Sequence, residues 1–422
     1  MERKYFENPY QDYAGEGFEV DEDFVRSSIA EYVQIIIQNT FPKSVYGGDK
    51  NTNLFIGTAG IAYMFYKMHI SPRDFKAYRP LFHAQEYIFD SKRNAPNYRH
   101  KVYEDFKAAF FTGNAGMYCV SAAISSAMEQ EGMMANDLIN FHEGYEKCLV
   151  FDFISHGRDT MLVGRSGFLS GIYFLNKHML PQQYTNEQIL DLCQLIVRGG
   201  RDASLRKGSS FPLVYPYHRC EHFGAMYGIS SILFTLLSSP WFYSEHGEDF
   251  PNVPKDVLGF VTNSIERLMD FQYEDGHFAN AVEDFEIHPS MRPPPLIQWC
   301  HGVTGVMLLL LKAYKIFRDQ KYLNAARRAA DGIWQRGLVK SNCLCHGIAG
   351  NGYAFLEMYR ATNDRKYLFR AFKFAQFLTT PEFREVRNED AKYSLFEGLS
   401  GVVCFLMDLL NPLEAQFPFM DI

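Results

Sequence analysis

Gln298-Trp299-Cys300-His301-Gly302-Val303-Thr304-Gly305 and Cys345-His346-Gly347-Ile348-Ala349-Gly350 decide how this chain is read. The two Cys-His-Gly-x-x-Gly segments lie 45 residues apart. Each runs into an apolar stretch, Val306 to Leu311 after the first and Tyr353 to Leu356 after the second. Two thiols and two imidazoles therefore sit where glycine turns open helices. Thiolate and imidazole suit a borderline-soft divalent ion such as zinc, and a catalytic zinc site keeps three protein ligands so that a fourth position stays open. Cys300, Cys345 and His346 make such a set. They come from two distant turns, so no local spacing rule fixes the match. Inert buried thiols beside a packed histidine stay open as the second reading.

Outward from these two segments, the element x-Gly-x-x-Gly ahead of an apolar run recurs at Gly57, Gly113, Gly164 and Gly398, with a degenerate copy, Tyr227-Gly228-Ile229-Ser230-Ser231. With Gly302 and Gly347 this makes seven turns. Between them the periodicity is helical: Tyr322, Leu323, Ala326, Ala330 and Ile333 recur at threes and fours, as do Tyr367, Leu368, Ala371, Phe374 and Ala375. Tyr322 and Tyr367, Ala326 and Ala371, and Ala330 and Ala375 again differ by 45. Each unit reads as a turn, an inner helix, a polar link and an outer amphipathic helix. Glycine at the turn is expected to supply φ > 0 and close backbone approach.

One such helix pair cannot bury its apolar face alone, so neighbours must stack, in an open solenoid or a closed ring. Val306 to Leu311 and Val402 to Leu406 are apolar nearly all round and require cover on both sides. The expected fold is therefore all-α: an α/α toroid of seven helical hairpins, its Gly-x-x-Gly turns gathered at one end, in a single domain from 1 to 422. Gly199-Gly200 and Arg206-Lys207-Gly208 read as the bounds of a linker, and Met291 to Pro295 as a stiff approach to the first Cys-His turn. His246 to Asp249 and Asp275-Gly276-His277 read as surface excursions.

Composition narrows the function. A net charge of −7 provides no basic field to neutralise phosphates, which argues against a nucleic-acid partner. The apolar share of 47% excludes a disordered chain, and 37 Phe with 26 Tyr fit many ring-filled helix contacts. The first ten residues are charged and aromatic where a secretory signal needs an apolar run. Glu2 removes the glycine that N-myristoylation requires, and no apolar run approaches the length of a membrane span, Val306 to Leu311 being stopped by Lys312. Eight scattered cysteines in a large chain point to free thiols in a reducing compartment. The expectation is a soluble cytoplasmic protein without a transmembrane segment, with peripheral association at the inner face of the plasma membrane allowed.

With these segments in hand, the sequence resembles the lanthionine synthetase C-like family, most of all the third subgroup of its eukaryotic LanC-like proteins. The likeness extends to the opening Phe6-x-Asn8-Pro9-Tyr10-x-Asp12-Tyr13, the Gly-Arg-x-Gly turn at Gly164 and the closing Phe396-Glu397-Gly398-Leu399-Ser400-Gly401. The resemblance implies a seven-hairpin barrel with one zinc held by Cys300, Cys345 and His346. It further implies a thiol at the open zinc position, from a peptide cysteine or glutathione, added to dehydroalanine or dehydrobutyrine. The enolate so formed needs an acid.

Here the chain departs from the pattern. The bacterial cyclases of the family place a histidine where this chain has Tyr227, and an acidic residue where it has Thr160, with Asp159 beside it. A phenol, ordinarily titrating near 10, matches neutral operation poorly, so Tyr227, His301 and His222 are all candidates for the proton transfer. The glutathione contacts carry over to Lys340, Arg387 and Asp390, and the family's N-terminal arginine falls at Lys4, or at Arg3 with a one-residue slip. Guanidinium and ammonium groups suit the tripeptide's carboxylates, and a carboxylate suits its amine. Two readings compete: a zinc-dependent glutathione transferase on dehydroamino acids, and a non-enzymatic zinc and thiol-binding sensor or scaffold that has lost the acid. A glycoside hydrolase needs two carboxylates, and only Glu397 is acidic among the residues preceding the first glycines.

Overall fold

The computed structural model describes residues 5–15, 17–40, 51–95, 107–243, 250, 252–288, 291–386 and 392–421. Among them are sixteen α-helices and no strand, only isolated bridges. In chain order these are α1 (Glu22–Thr40), α2 (Thr58–Ile70), α3 (Pro80–Asn94), α4 (Asn114–Ala127), α5 (Glu131–Leu149), α6 (Arg165–His178), α7 (Asn186–Lys207) and α8 (Ile229–Leu237). They continue with α9 (Lys255–Met269), α10 (Val282–Glu286), α11 (Val303–Phe317), α12 (Gln320–Arg336), α13 (Ile348–Thr362), α14 (Arg365–Phe377), α15 (Pro381–Val386) and α16 (Leu399–Leu409).

The seven glycine turns each open an inner helix: Gly57, Gly113, Gly164, Gly228, Gly302, Gly347 and Gly398 are the N-caps of α2, α4, α6, α8, α11, α13 and α16. As the all-round apolarity of Val306 to Leu311 and Val402 to Leu406 requires, α11 is buried from Val303 to Leu311 and α16 is buried throughout. The outer helix α9, by contrast, buries one stripe, Val257, Val261, Ser264, Ile265 and Leu268. The 45-residue register holds in space: α11 and α13 start at Val303 and Ile348, α12 and α14 at Gln320 and Arg365.

Two compact units result, one from residues 1–143 and 334–421, the other from 144–333. In the first, the inner helices α13, α16, α2 and α4 pack in series, and α2 and α13 fold against α3 and α14. The last inner helix, α16, takes its outer partner from the other end of the sequence, since it packs against α1. The opening motif is fastened here too: Asn8 Nδ2 donates to Trp334 O at 2.7 Å, and Asp12 pairs with buried Arg370 at 2.5 Å. In the second unit α6, α8 and α11 pack in series, with α7 against α6.

The glycines are required for a different reason than expected. At the seven N-caps φ lies between −148° and −102°, extended backbone open to any residue. What selects glycine is close approach. A Cβ on Gly302 would fall 1.8 Å from the Leu296 carbonyl oxygen, and one on Gly347 2.2 Å from the Cys343 amide nitrogen. The chain coils back so that the first helical amide reaches a carbonyl seven residues earlier. Thr58 donates to Asn51 at 3.1 Å, Arg165 to Arg158 at 2.8 Å, Ile229 to His222 at 3.0 Å, Val303 to Leu296 at 3.2 Å, Ile348 to Ser341 at 2.8 Å and Leu399 to Lys392 at 2.9 Å. A helix start leaves orphan donors, and here the loop backbone, not a capping side chain, receives them.

Two other expectations fail for related reasons. Gly199 and Gly200 lie inside α7 and not in a linker, because a Cβ on Gly200 would meet the Tyr215 ring at 2.6 Å and one on Gly199 the Asp159 carboxylate at 2.7 Å. Asp275-Gly276-His277 is no surface excursion, since His277 is 1% exposed and the Gly276 backbone presses on Arg328. His246 to Asp249 lie outside the described residues.

Candidate metal centre

The turns are joined through one equivalent position, two residues before the first glycine. In the first unit the Cys345 amide donates to Phe396 O at 2.9 Å, Phe396 to Phe55 O at 3.1 Å, and Phe55 to Phe111 O at 3.0 Å. In the second, Leu162 donates to Met226 O at 3.2 Å and Met226 to Cys300 O at 3.0 Å. These paired residues are all buried. The residue that follows each one, just before the glycine, is half-buried in all seven turns: Ile56, Thr112, Val163, Tyr227, His301, His346 and Glu397. The fold thus gives seven equivalent places for a side chain with partial access to solvent, and the sequence puts its histidines, its phenol and a carboxylate in four of them.

Cys300 and Cys345 occupy the equivalent buried position of the fifth and sixth turns. Cys300 is held through its carbonyl, beside a second bond from Ala225 N–H to Trp299 O at 3.0 Å. Gly224 permits that approach, since a Cβ there would lie 2.3 Å from the His301 α-carbon. On the other segment the His346 amide donates to Cys343 Sγ at 3.5 Å, which fixes the Cys345-His346 backbone above a third, non-ligating thiol. Cys300, Cys345 and His346 each present one ligand atom, and these atoms all lie within 4.8 Å of one another. Two ligands of one tetrahedral zinc stand about 3.7 Å apart, so small side-chain adjustments bring the trio into range. Two sulfurs and one imidazole are zinc's preferred donors, and three of them leave an open position. The residues fit the ion.

Beside Cys300, the three proton-transfer candidates come together. The Tyr227 and His301 rings lie 5.5 Å apart, and His222 stands 5.8 Å from His301 and 6.2 Å from Tyr227. Burial lowers the pKa of His222, and the neighbouring His301 and His218 add to that shift. Tyr217 stacks on Tyr227 at 4.2 Å. Nothing in the sequence singles Tyr217 out, because its contact depends on the tight turn it forms with Cys220.

The residues at the acidic position of the third turn do something else. Thr160 donates its hydroxyl to Gly157 O at 2.8 Å within its own loop. Asp159 is 5% exposed and binds fully buried Arg165 at 2.7 Å. Burial raises the Asp159 pKa, against the pull of the Arg165 and Arg158 guanidiniums. Of the glutathione candidates, Lys340 is half-buried, while Lys4, Arg387 and Asp390 lie outside the described residues.

Among the described residues no helix is long and apolar enough to cross a membrane. The profile of the family described as lanthionine synthetase C-like protein matches residues 48–422. The chain is 29% identical to glutathione S-transferase LANCL1 of Danio rerio over 450 residues, covering 100% of both chains. Nisin cyclase matches with a TM-score of 0.63 at 16% identity, over 94% of this chain and 95% of that one. At that identity the likeness carries the fold alone, and the fold is the α/α toroid. A family match over most of the chain, on a scaffold that repeats its turns seven times, leads to one conclusion: the protein belongs to the lanthionine synthetase C-like family.

Proposed function

We propose that this protein is a zinc-dependent glutathione-binding protein that adds the glutathione thiol to dehydroalanine and dehydrobutyrine residues of proteins. The observation that carries the reading is the grouping of the Cys300, Cys345 and His346 ligand atoms within 4.8 Å. The relative named a glutathione S-transferase supports the choice of thiol. A zinc ion held by these three side chains would lower the pKa of a thiol at its open position and present thiolate at neutral pH.

The chain's own residues supply the rest. The new bond joins the glutathione sulfur to the β-carbon of the alkene, whose π electrons shift to the α-carbon and its carbonyl. One proton must then reach the α-carbon, so the thiol's sulfur and one proton both end in the product. His301 is assigned that transfer, and Tyr227, a weaker donor at neutral pH, positions it from 5.5 Å away. Lys340, Arg387 and Lys4 are assigned the carboxylates of glutathione, and Asp390 its amine.

Purified protein incubated with glutathione and a dehydroalanine peptide should yield a glutathione adduct by mass spectrometry. No adduct at high enzyme concentration would remove the transferase reading. Tyr227, in place of the family's histidine, favours a second reading, a zinc-bound thiol sensor without turnover. In that case glutathione raises the melting temperature in a zinc-dependent way and no adduct forms.

A further inference from the structure

A cavity of about 540 Å³ opens in the second unit between the loop that leads to the third turn, the C-terminal part of α7 and the segment 214–219. Its wall carries Arg158, Arg206, Lys207 and Arg219 against Asp152 and Asp159. Two of the cations are committed: Arg158 to Asp152 and Asp159, and Lys207 to Glu221 at 2.7 Å. Arg206 and Arg219 are exposed and have no ion-pair partner among the described residues. In a chain of net charge −7 this is a local excess of positive charge inside a concave wall. Two imidazoles, His156 and His218, face each other there at 5.0 Å.

The turn that presents this charge is strained. His218 and Arg219 have φ of +46° and +74°, and the flanking Tyr217 and Cys220 exchange backbone hydrogen bonds of 2.9 and 3.0 Å. Two left-handed residues at the tip of a two-residue turn are ordinarily Asn-Gly or Gly-Gly. Non-glycine residues held in that region cluster at ligand sites. The turn is also tied to the site already described, since its first residue, Tyr217, stacks on Tyr227 at 4.2 Å.

We propose that this cavity binds an acidic stretch of the acceptor polypeptide, carboxylate side chains flanking the dehydroamino acid being received by Arg206 and Arg219. The assignment rests on the transferase reading for the identity of the acceptor, and on the cavity for the charge it must carry. Guanidinium groups bind carboxylates through paired hydrogen bonds. A polypeptide whose reacting residue reaches Tyr227 and His301 has its neighbours beside Tyr217, whose chain neighbours Pro216 and His218 line this cavity.

The test is fluorescence anisotropy on the full chain, without glutathione, with two labelled peptides that carry dehydroalanine flanked by glutamates or by glutamines. The glutamate peptide should bind about tenfold tighter at low salt, with the advantage shrinking as salt rises. The double variant Arg206→Glu/Arg219→Glu should abolish the preference, and the neutral pair Arg206→Gln/Arg219→Gln should reduce it, with both checked for folding by thermal melts. Equal binding of the two peptides by the wild type, a preference that survives in the folded Arg206→Glu/Arg219→Glu variant, or an undiminished preference in the folded Arg206→Gln/Arg219→Gln variant overturns the assignment. Binding is read without turnover, so absence of a glutathione adduct together with an intact glutamate preference removes only the transferase reading.

Discussion

The imidazole of His301 lies 5.5 Å from the phenol ring of Tyr227, their planes inclined at 53°. If the proton reaches the product through this pair, His301→Asn should lower kcat for adduct formation by about 10²-fold or more. Tyr227→Phe keeps the ring stacked on Tyr217 and should cost roughly tenfold. Zinc content and the melting-temperature shift with glutathione should be unchanged in both. Wild-type kcat in the two variants would place the proton donor elsewhere.

Asp159 and Arg165 form a structural pair. Arg165 is fully buried and gives its other hydrogen bonds to the carbonyls of Cys148, Val150 and Phe151. Asp159→Asn strands that charge and should cost about 3 kcal/mol in chemical denaturation. Thr160→Val removes one hydrogen bond and should cost about 1 kcal/mol. Equal stability of Asp159→Asn and wild type would contradict the pairing.

Gly302→Ala should be among the most damaging small substitutions in the chain, because its methyl group would overlap the Leu296 carbonyl oxygen at 1.8 Å. The loop carrying Cys300 must then move, with a stability loss of several kcal/mol, roughly 3 or more, and reduced metal binding. Gly208 makes the contrast: it has φ of +63° and open space around it, so Gly208→Ala should cost only about 1 kcal/mol. Similar melting temperatures for these two variants would refute the close-approach argument.

Much of this was legible in the sequence, for physical reasons. The turns were visible because steric exclusion permits only glycine at their closest points. Left-handed φ and close approach both select glycine, however, so the sequence could not say which one operates at Gly302. Gly199 and Gly200 misled in the same way: each costs about 1 kcal/mol in a helix interior, yet Tyr215 and Asp159 leave no room for a side chain there. The zinc trio was readable as residue types. That Cys300 and Cys345 hold one equivalent buried position became visible only through the backbone bonds of their turns to Met226 and Phe396. Tyr217 gave no signal at all.

Glu357 predicts a pH dependence. It is fully buried, accepts hydrogen bonds from Arg360 and the Phe417 amide, and has its carboxyl pushed up to about 7 by burial, with Arg360 opposing the rise. The folded state therefore holds this proton more tightly than the unfolded chain, whose value is 4.5. The resulting stability is present in full below the unfolded value and is lost as pH rises through the folded one. Glutamine cannot titrate, so Glu357→Gln should gain on wild type by on the order of 2–3 kcal/mol as pH climbs through that range. Parallel denaturation curves at all pH values would contradict it.

Metal content is the most direct measurement. The zinc bound per chain, after purification from zinc-replete cells, should be about one equivalent in the wild type. It should fall close to zero in folded Cys345→Ala and in folded Cys300→Ala. A wild type that carries no zinc, or a Cys345→Ala variant that keeps its full equivalent, would contradict the account.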